Sequence, residues 1–180
     1  MKALSSVRHI ASFALGLGLA GQVAAAELEL RAATIGSQQG IQMAGLNALA
    51  AHVAEATNNS ADIKLFHSGS LGDQVSNIEA IDTRLLDIAT IETPITTIDE
   101  DMGILSLPYL FRDREHVSNV LSGEIGQELK DKLQKQGYRV IGFYEGGFRH
   151  ITNNSHAIEK PEDLDGLRIR TPGSRQRVEM

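Results

Sequence analysis

The residues that stand out chemically are arginines on strand-like segments. Arg149 lies in GGFRHITNN, behind Gly146 and Gly147, and Arg170 lies in LRIRT, just ahead of Pro172. In an open α/β sheet, ligands bind outside the carboxyl ends of the strands. An arginine there offers a planar fork that grips a carboxylate through two parallel hydrogen bonds. One hydrogen bond to a charged group contributes about 1.5–3 kcal/mol. Two arginines converging on one organic acid would thus supply much of the roughly −8 kcal/mol that corresponds to micromolar affinity. The alternative use of these side chains is local charge balance against Glu145, Asp163 and Asp165. Arg168 shares a face with Arg170 but lies further from the strand end. Arg175 and Arg177 fall in a predicted first helical turn, where bases commonly point to solvent.

No reaction chemistry is encoded nearby. The chain has no cysteine, which excludes disulfides, thiolate metal sites and cysteine nucleophiles. There is no G-x-S-x-G elbow, since SGSLG has the wrong spacing, and no H-E-x-x-H or P-loop. His52, His67, His116, His150 and His156 are each isolated in sequence, and the carboxylates sit mostly on solvated helix faces. No catalytic residue, metal or cofactor is expected. Gly16, Gly18 and Gly21 satisfy G-x-G-x-x-G, but they lie inside an apolar leader rather than between a strand and a helix, so the dinucleotide reading is discarded.

That leader is informative. Lys2 and Arg8 precede an apolar run from about Ile10 to Ala20, and small residues at Val23–Ala26 close it. This is the layout of a secretory signal cleaved before Glu27, and the run is shorter than the about 20 residues that span a bilayer. The expectation is a periplasmic protein with a signal peptide at 1–26. The formal charge of −6 argues against a broad grip on nucleic acid. With 42% apolar and 22% charged residues, the composition is that of a globular protein.

The elements that must position the arginines follow from periodicity. ELELRAATI reads as a strand entering a covered sheet, and IQMAGLNALAAHVAEA as a helix with Met43, Leu46, Leu49 (or Ala50) and Val53 on one face. TNNS stops it, and ADIKLFH is a second strand. SGSLGD offers Ser70 or Asp73 as the cap of a second helix with Val75, Ile78, Ile81 and Leu85 at helical spacing. LLDIATI fits a third strand buried on both faces. A β-α-β-α-β order implies parallel strands with right-handed crossovers.

Beyond an irregular stretch with Pro94 and Pro108, two helices are predicted. The first is capped by Asp113 with Val117, Val120 and Leu121 inward; the second has Ile125, Leu129 and Leu133 inward, with Gly137 at its end. YRVIGFYEGG, FRHITNN and LRIRT read as strands, KPEDLDG as a connector, and SRQRVEM as the start of a helix.

Three stretches, SGSLGDQVSNIEAIDTRLLDIATI, LPYLFRDREHVSNVLSGEIGQEL and GGFRHITNNSHAIEKPEDLDGLRIRTPGS, resemble the substrate-binding proteins of TRAP transporters, the DctP type. The resemblance runs through essentially the whole mature chain, and PYLFRDREH and PEDLDGLRIRTP are its specific parts. It implies a periplasmic-binding-protein-like α/β fold of two lobes, which captures an organic acid and delivers it to integral-membrane permease subunits. A C4-dicarboxylate, a keto acid or a sugar acid would be the ligand. In that family the arginine of the R-x-P strand end makes the main salt bridge to the ligand carboxylate, which corresponds to Arg170. A second arginine, on the G-x-R strand crossing between lobes, corresponds to Arg149. The residue after the third strand often touches ligand, which points to Glu92 or Thr93, and the loop after the first strand brings Ser37, Gln38 and Gln39 to the opposite wall.

The expected division is a signal peptide at 1–26, a first lobe at 27–147, and at 148–180 a crossover with the start of a second, incomplete lobe. Family members are considerably longer, and the chain stops in a predicted helix, so a break rather than a natural end is expected. The protein is expected to be a monomer. The rival readings are an exported α/β hydrolase whose catalytic residues lie beyond residue 180, and a fragment that binds nothing.

Overall fold

The computed structural model of the protein describes residues 27–170. The signal segment at 1–26, Pro172, Arg175, Arg177 and the helix expected from SRQRVEM lie outside the described residues.

Three parallel strands, β1 (Leu28–Ala33), β2 (Ala61–Phe66) and β3 (Ile88–Ala89), form a sheet in the order β2-β1-β3. Leu28 pairs with Ala61 and Ala33 with Phe66 on one side of β1, while Ala32 pairs with Ile88 on the other. Parallel neighbours need a crossover, and helices α1 (Ile41–Ala56) and α2 (Gln74–Asp82) supply it. The β-α-β-α-β order expected from periodicity is the observed one.

The first core forms where α1 lies on the sheet. Ala32, Met43, Leu46 and Ile63 are buried together, and Leu49, Ala50 and Val53 pack against them. This is the helix face that the apolar spacing marks. Helix α1 ends where the Thr57 hydroxyl donates to the Val53 carbonyl at 2.7 Å. Asn58 and Asn59 then turn left-handed at φ 50° and 61°, a conformation asparagine tolerates better than most residues. Asp73, not Ser70, caps α2: its carboxylate accepts from the Ser76 backbone N–H at 2.9 Å. Gly72 before it sits at φ +109°, and a Cβ there would come within 2.9 Å of the Ser76 Cβ.

β3 is shorter than the apolar run LLDIATI suggests, and Leu85 is 64% exposed. The cause is visible at Asp87. Its carboxylate accepts from the Arg31 N–H at 2.8 Å, taking the place of a ladder carbonyl, while its own N–H donates to the Arg31 carbonyl. Val75 is likewise exposed, while Ile78 and Leu86 are buried.

A second core lies further along the chain, where α3 (Arg114–Ser122) and α4 (Glu124–Lys135) form a helical hairpin. Asp113 caps α3 through the His116 N–H at 2.7 Å. Met102, Leu129 and Leu133 are buried together, with Leu121, Tyr138, Val140 and Phe143 packed against them. Ile125 departs from the expectation at 53% exposed. Its neighbour Gly126 marks the tight point of the hairpin, since a Cβ there would fall 1.9 Å from the Leu121 carbonyl oxygen.

The stretches YRVIGFYEGG, FRHITNN and LRIRT are extended or irregular over their described residues, not strands. A strand needs a hydrogen-bonding neighbour, and among the described residues none pairs with them. Val140 and Phe143 of the first stretch turn instead into the second core.

Candidate functional site

Polar residues gather at the carboxyl ends of the strands, where Gln42 and Gln74 of the crossover helices meet Glu92. Chain direction alone brings them there: in a parallel sheet every strand ends on the same side, and each crossover helix begins there. Thr34 follows β1, Thr90 and Glu92 follow β3, Gln42 lies in the first turn of α1, and Gln74 opens α2.

Glu92 is held from several directions. Its backbone N–H donates to Gln74 Oε1 at 2.6 Å, so the Asp73 cap that fixes the start of α2 also sets the strand end. The Gln42 side-chain amide donates to Glu92 Oε1 at 3.3 Å, and the Tyr144 hydroxyl donates to the same oxygen at 3.2 Å. Arg149 Nη2 donates to Glu92 Oε2 at 2.9 Å, an ion pair whose side chains are 54% and 27% exposed. Beneath this, the Thr90 hydroxyl donates to Thr34 Oγ1 at 2.7 Å, and the Gly36 N–H donates to that oxygen at 3.0 Å.

Burial pushes the Tyr144 phenol well above its ordinary value, and the neighbouring Glu92 charge and hydrogen bond act in the same direction. Tyr144 therefore stays protonated and donates to Glu92. The cluster as a whole combines one negative charge, one positive charge and neutral amide and hydroxyl groups. Arg149 has one guanidinium nitrogen on Glu92, which leaves further donors of its fork for a second carboxylate.

The expected site residues are distributed unevenly. Glu92 and Arg149 meet directly. Thr93 is 3% exposed, and its hydroxyl has no partner among the described residues. Ser37 and Gln38 are exposed in the loop between β1 and α1. Arg170 is exposed and makes no ion pair among the described residues; it is not joined to the Glu92 cluster. A separate concavity of about 480 Å3 lies between residues 152–155 and 166–169. None of its lining residues belongs to the Glu92 cluster.

Sequence reasoning missed Gln42, Gln74 and Tyr144. The first two carried a usable signal. A polar residue in the first turn of a crossover helix is bound to face the carboxyl ends of the strands. Tyr144 carries none, because its stretch has the composition of a strand.

A charged, hydrogen-bonded cluster at the carboxyl ends of the strands lies where open parallel α/β sheets bind their ligands. Residues 32–180 match the DctP model, the bacterial extracellular solute-binding proteins of family 7, and the chain belongs to that family. A solute-binding protein of Verminephrobacter eiseniae is 34% identical over 82% of this chain and 44% of its own length. Among solved structures, a TRAP periplasmic solute-binding protein of Sulfurospirillum deleyianum with bound succinate superposes with a TM-score of 0.79 at 30% identity, over 83% of this chain and 49% of that one. One from Polaromonas sp. JS666 bound to D-erythronate gives 0.81 at 28% identity, over 84% and 50%. These neighbours share the two-lobe fold, and the chain spans about half the length of each.

Proposed function

We propose that the protein captures a small organic acid outside the cytoplasm and delivers it to the membrane-embedded permease subunits of a TRAP-type secondary transporter. It acts as a monomer, is exported by the cleavable signal at 1–26, and binds without turning its ligand over. Residues 27–147 form the first lobe, and 148–180 cross to the second.

The observation that carries this reading is the Arg149–Glu92 pair at the carboxyl end of β3. It puts a cation with spare donors where an open α/β sheet binds ligands. Arg170 is assigned as the second carboxylate anchor, with Thr93, Ser37 and Gln38 lining the wall. The succinate and D-erythronate held by the two solved relatives support an organic acid as the ligand class. One is a dicarboxylate and the other a hydroxylated monocarboxylate, so the fold by itself does not choose between them. Closure of one lobe on the other follows if the closed form makes ligand contacts the open form lacks.

The test is a thermal-shift screen of dicarboxylates, keto acids and sugar acids against the product of the complete reading frame. The right acid should stabilise it by about 2.7 kcal/mol at a hundredfold excess over its dissociation constant. If no acid raises the melting temperature, the reading fails.

A further inference from the structure

The last ladder bond of β3 is made by the Thr90 N–H, which donates to the Ala33 carbonyl at 3.0 Å. Beyond it the chain leaves the sheet and enters the site. The next backbone N–H to be held is that of Glu92, and its acceptor is a side chain, Gln74 Oε1 at 2.6 Å. Gln74 opens α2 and is buried. One turn further along the same side of the helix, Asn77 is 1% exposed, and neither its amide nitrogen nor its amide oxygen has a partner among the described residues. The hydroxyl of Thr93, next to Glu92, is enclosed in the same way. Enclosed polar groups without partners stabilise nothing and cost free energy. Among the described residues, the Gln74–Glu92 bond is therefore the one hydrogen bond that ties α2 to residues 92–93. The bonds from Gln42, Tyr144 and Arg149 act on the Glu92 carboxylate, which can follow its backbone. The Gln74 bond acts on the backbone itself.

We propose that Gln74 is the positioning residue of the ligand site: its side-chain carbonyl fixes the end of β3, and ligand affinity depends on that acceptor. Gln74 acts through the backbone of Glu92 and not by touching the ligand. This rests on the organic-acid reading above. Contact groups of a binding site must be held to within about 0.5 Å by the groups behind them. Without its acceptor the Glu92 N–H is left unpaired in a part-buried setting, and the strand end shifts to bring it to water. That shift carries Glu92 and Thr93 with it, and through Glu92 the Arg149 guanidinium. The requirement is for an acceptor and not for an amide. Glutamate at position 74 keeps one and suits the positive end of the α2 dipole. Methionine keeps the length and removes the acceptor.

The product of the complete reading frame tests this, unmodified and as Gln74→Met, Gln74→Glu and Asn77→Leu. Each is titrated by calorimetry with succinate, with D-erythronate and with any acid that the thermal-shift screen selects. Gln74→Met should bind the preferred acid at least about tenfold more weakly, and Gln74→Glu should stay within about threefold of the unmodified protein. Asn77→Leu removes an unpaired group from the same helix face, so it should raise the denaturation midpoint and leave affinity within about threefold. Amide exchange reads the bond itself without ligand. The Glu92 N–H should be protected in the unmodified protein and in Gln74→Glu, and at least about tenfold less protected in Gln74→Met. Unchanged affinity in Gln74→Met overturns the inference, whatever happens to stability. So does an equal loss in Gln74→Glu, or a tenfold loss in Asn77→Leu. If Gln74→Met does not fold, an unprotected Glu92 N–H in the unmodified protein overturns it instead. If no acid binds the unmodified protein, it is the function that falls.

Discussion

Arg149 Nη2 lies 2.9 Å from Glu92 Oε2, and this pair ties the chain beyond the helical hairpin back to the end of β3. With side chains 54% and 27% exposed, the pair contributes at most about 1 kcal/mol to stability, because solvent screens it. Its importance is positional. Arg149→Ala should therefore change the denaturation midpoint by less than about 1 kcal/mol. On the proposed function it should weaken acid binding by about tenfold or more. A loss of stability with unchanged affinity would make Arg149 a structural tie only.

The Asp73 cap reaches the site in two steps. Asp73 accepts from Ser76 N–H, and the adjacent Gln74 accepts from Glu92 N–H. Asp73→Ala should cost about 1 kcal/mol, with Asp73→Asn losing much less, since asparagine caps nearly as well. The cap also holds the Asp73 carboxyl below its ordinary value through the Ser76 N–H and hydroxyl. A group with a lowered folded pKa gives stability that is lost as pH falls, so the stability gap between the protein and Asp73→Ala should close as pH falls through the carboxylate range. Urea melts across pH measure both effects.

At the alkaline end two phenols act together. Burial pushes Tyr138 up to about 12, helped by its hydrogen bond to Asp82, and Tyr144 is raised above its ordinary value by burial and Glu92. In the unfolded chain both ionise near pH 10. Between that value and the folded one the native state holds more protons, so stability is complete below about pH 10 and falls as pH rises above it. Tyr144→Phe should flatten this alkaline decline by up to one proton in the slope. An unchanged slope would mean that Tyr144 is solvated.

The second core should be intolerant of change at two points. Leu133 is 1% exposed, and Leu133→Ala should cost about 2–5 kcal/mol. Gly126→Ala would force a Cβ to 1.9 Å from the Leu121 carbonyl, so the α3–α4 turn must open. About 3 kcal/mol or more is expected, at the upper end of overpacking costs. Ile125→Ala, one residue away but 53% exposed, should be nearly neutral and serves as the control.

The sheet half of this molecule is legible in its sequence. Met43, Leu46 and Val53 mark the buried face of α1, TNNS its end and Asp73 the start of α2, because each acts through local geometry that a few residues determine. Leu85 and Ile125 mislead for a common reason: apolar character points to burial, yet what the neighbours leave room for decides it. Asp87 replaces a ladder carbonyl with its side chain, which no periodicity can report. The strands expected at 138–154 fail because strand character is only half of a pairing. At the site, Glu92 and Arg149 were anticipated separately, but their ion pair joins elements distant in sequence and could not be read from either stretch.

The strand nearest the N-terminus is the central one. Leu28 must wait for Ala61, and Ala32 for Ile88, before their hydrogen bonds can form. While the chain is being made, the sheet can grow only in two late steps. β1 stays bare until residue 61 appears, and keeps one open edge until residue 88 does. Pairings this distant close slowly. Until its later partners arrive, β1 presents unpaired backbone groups on which another chain could pair.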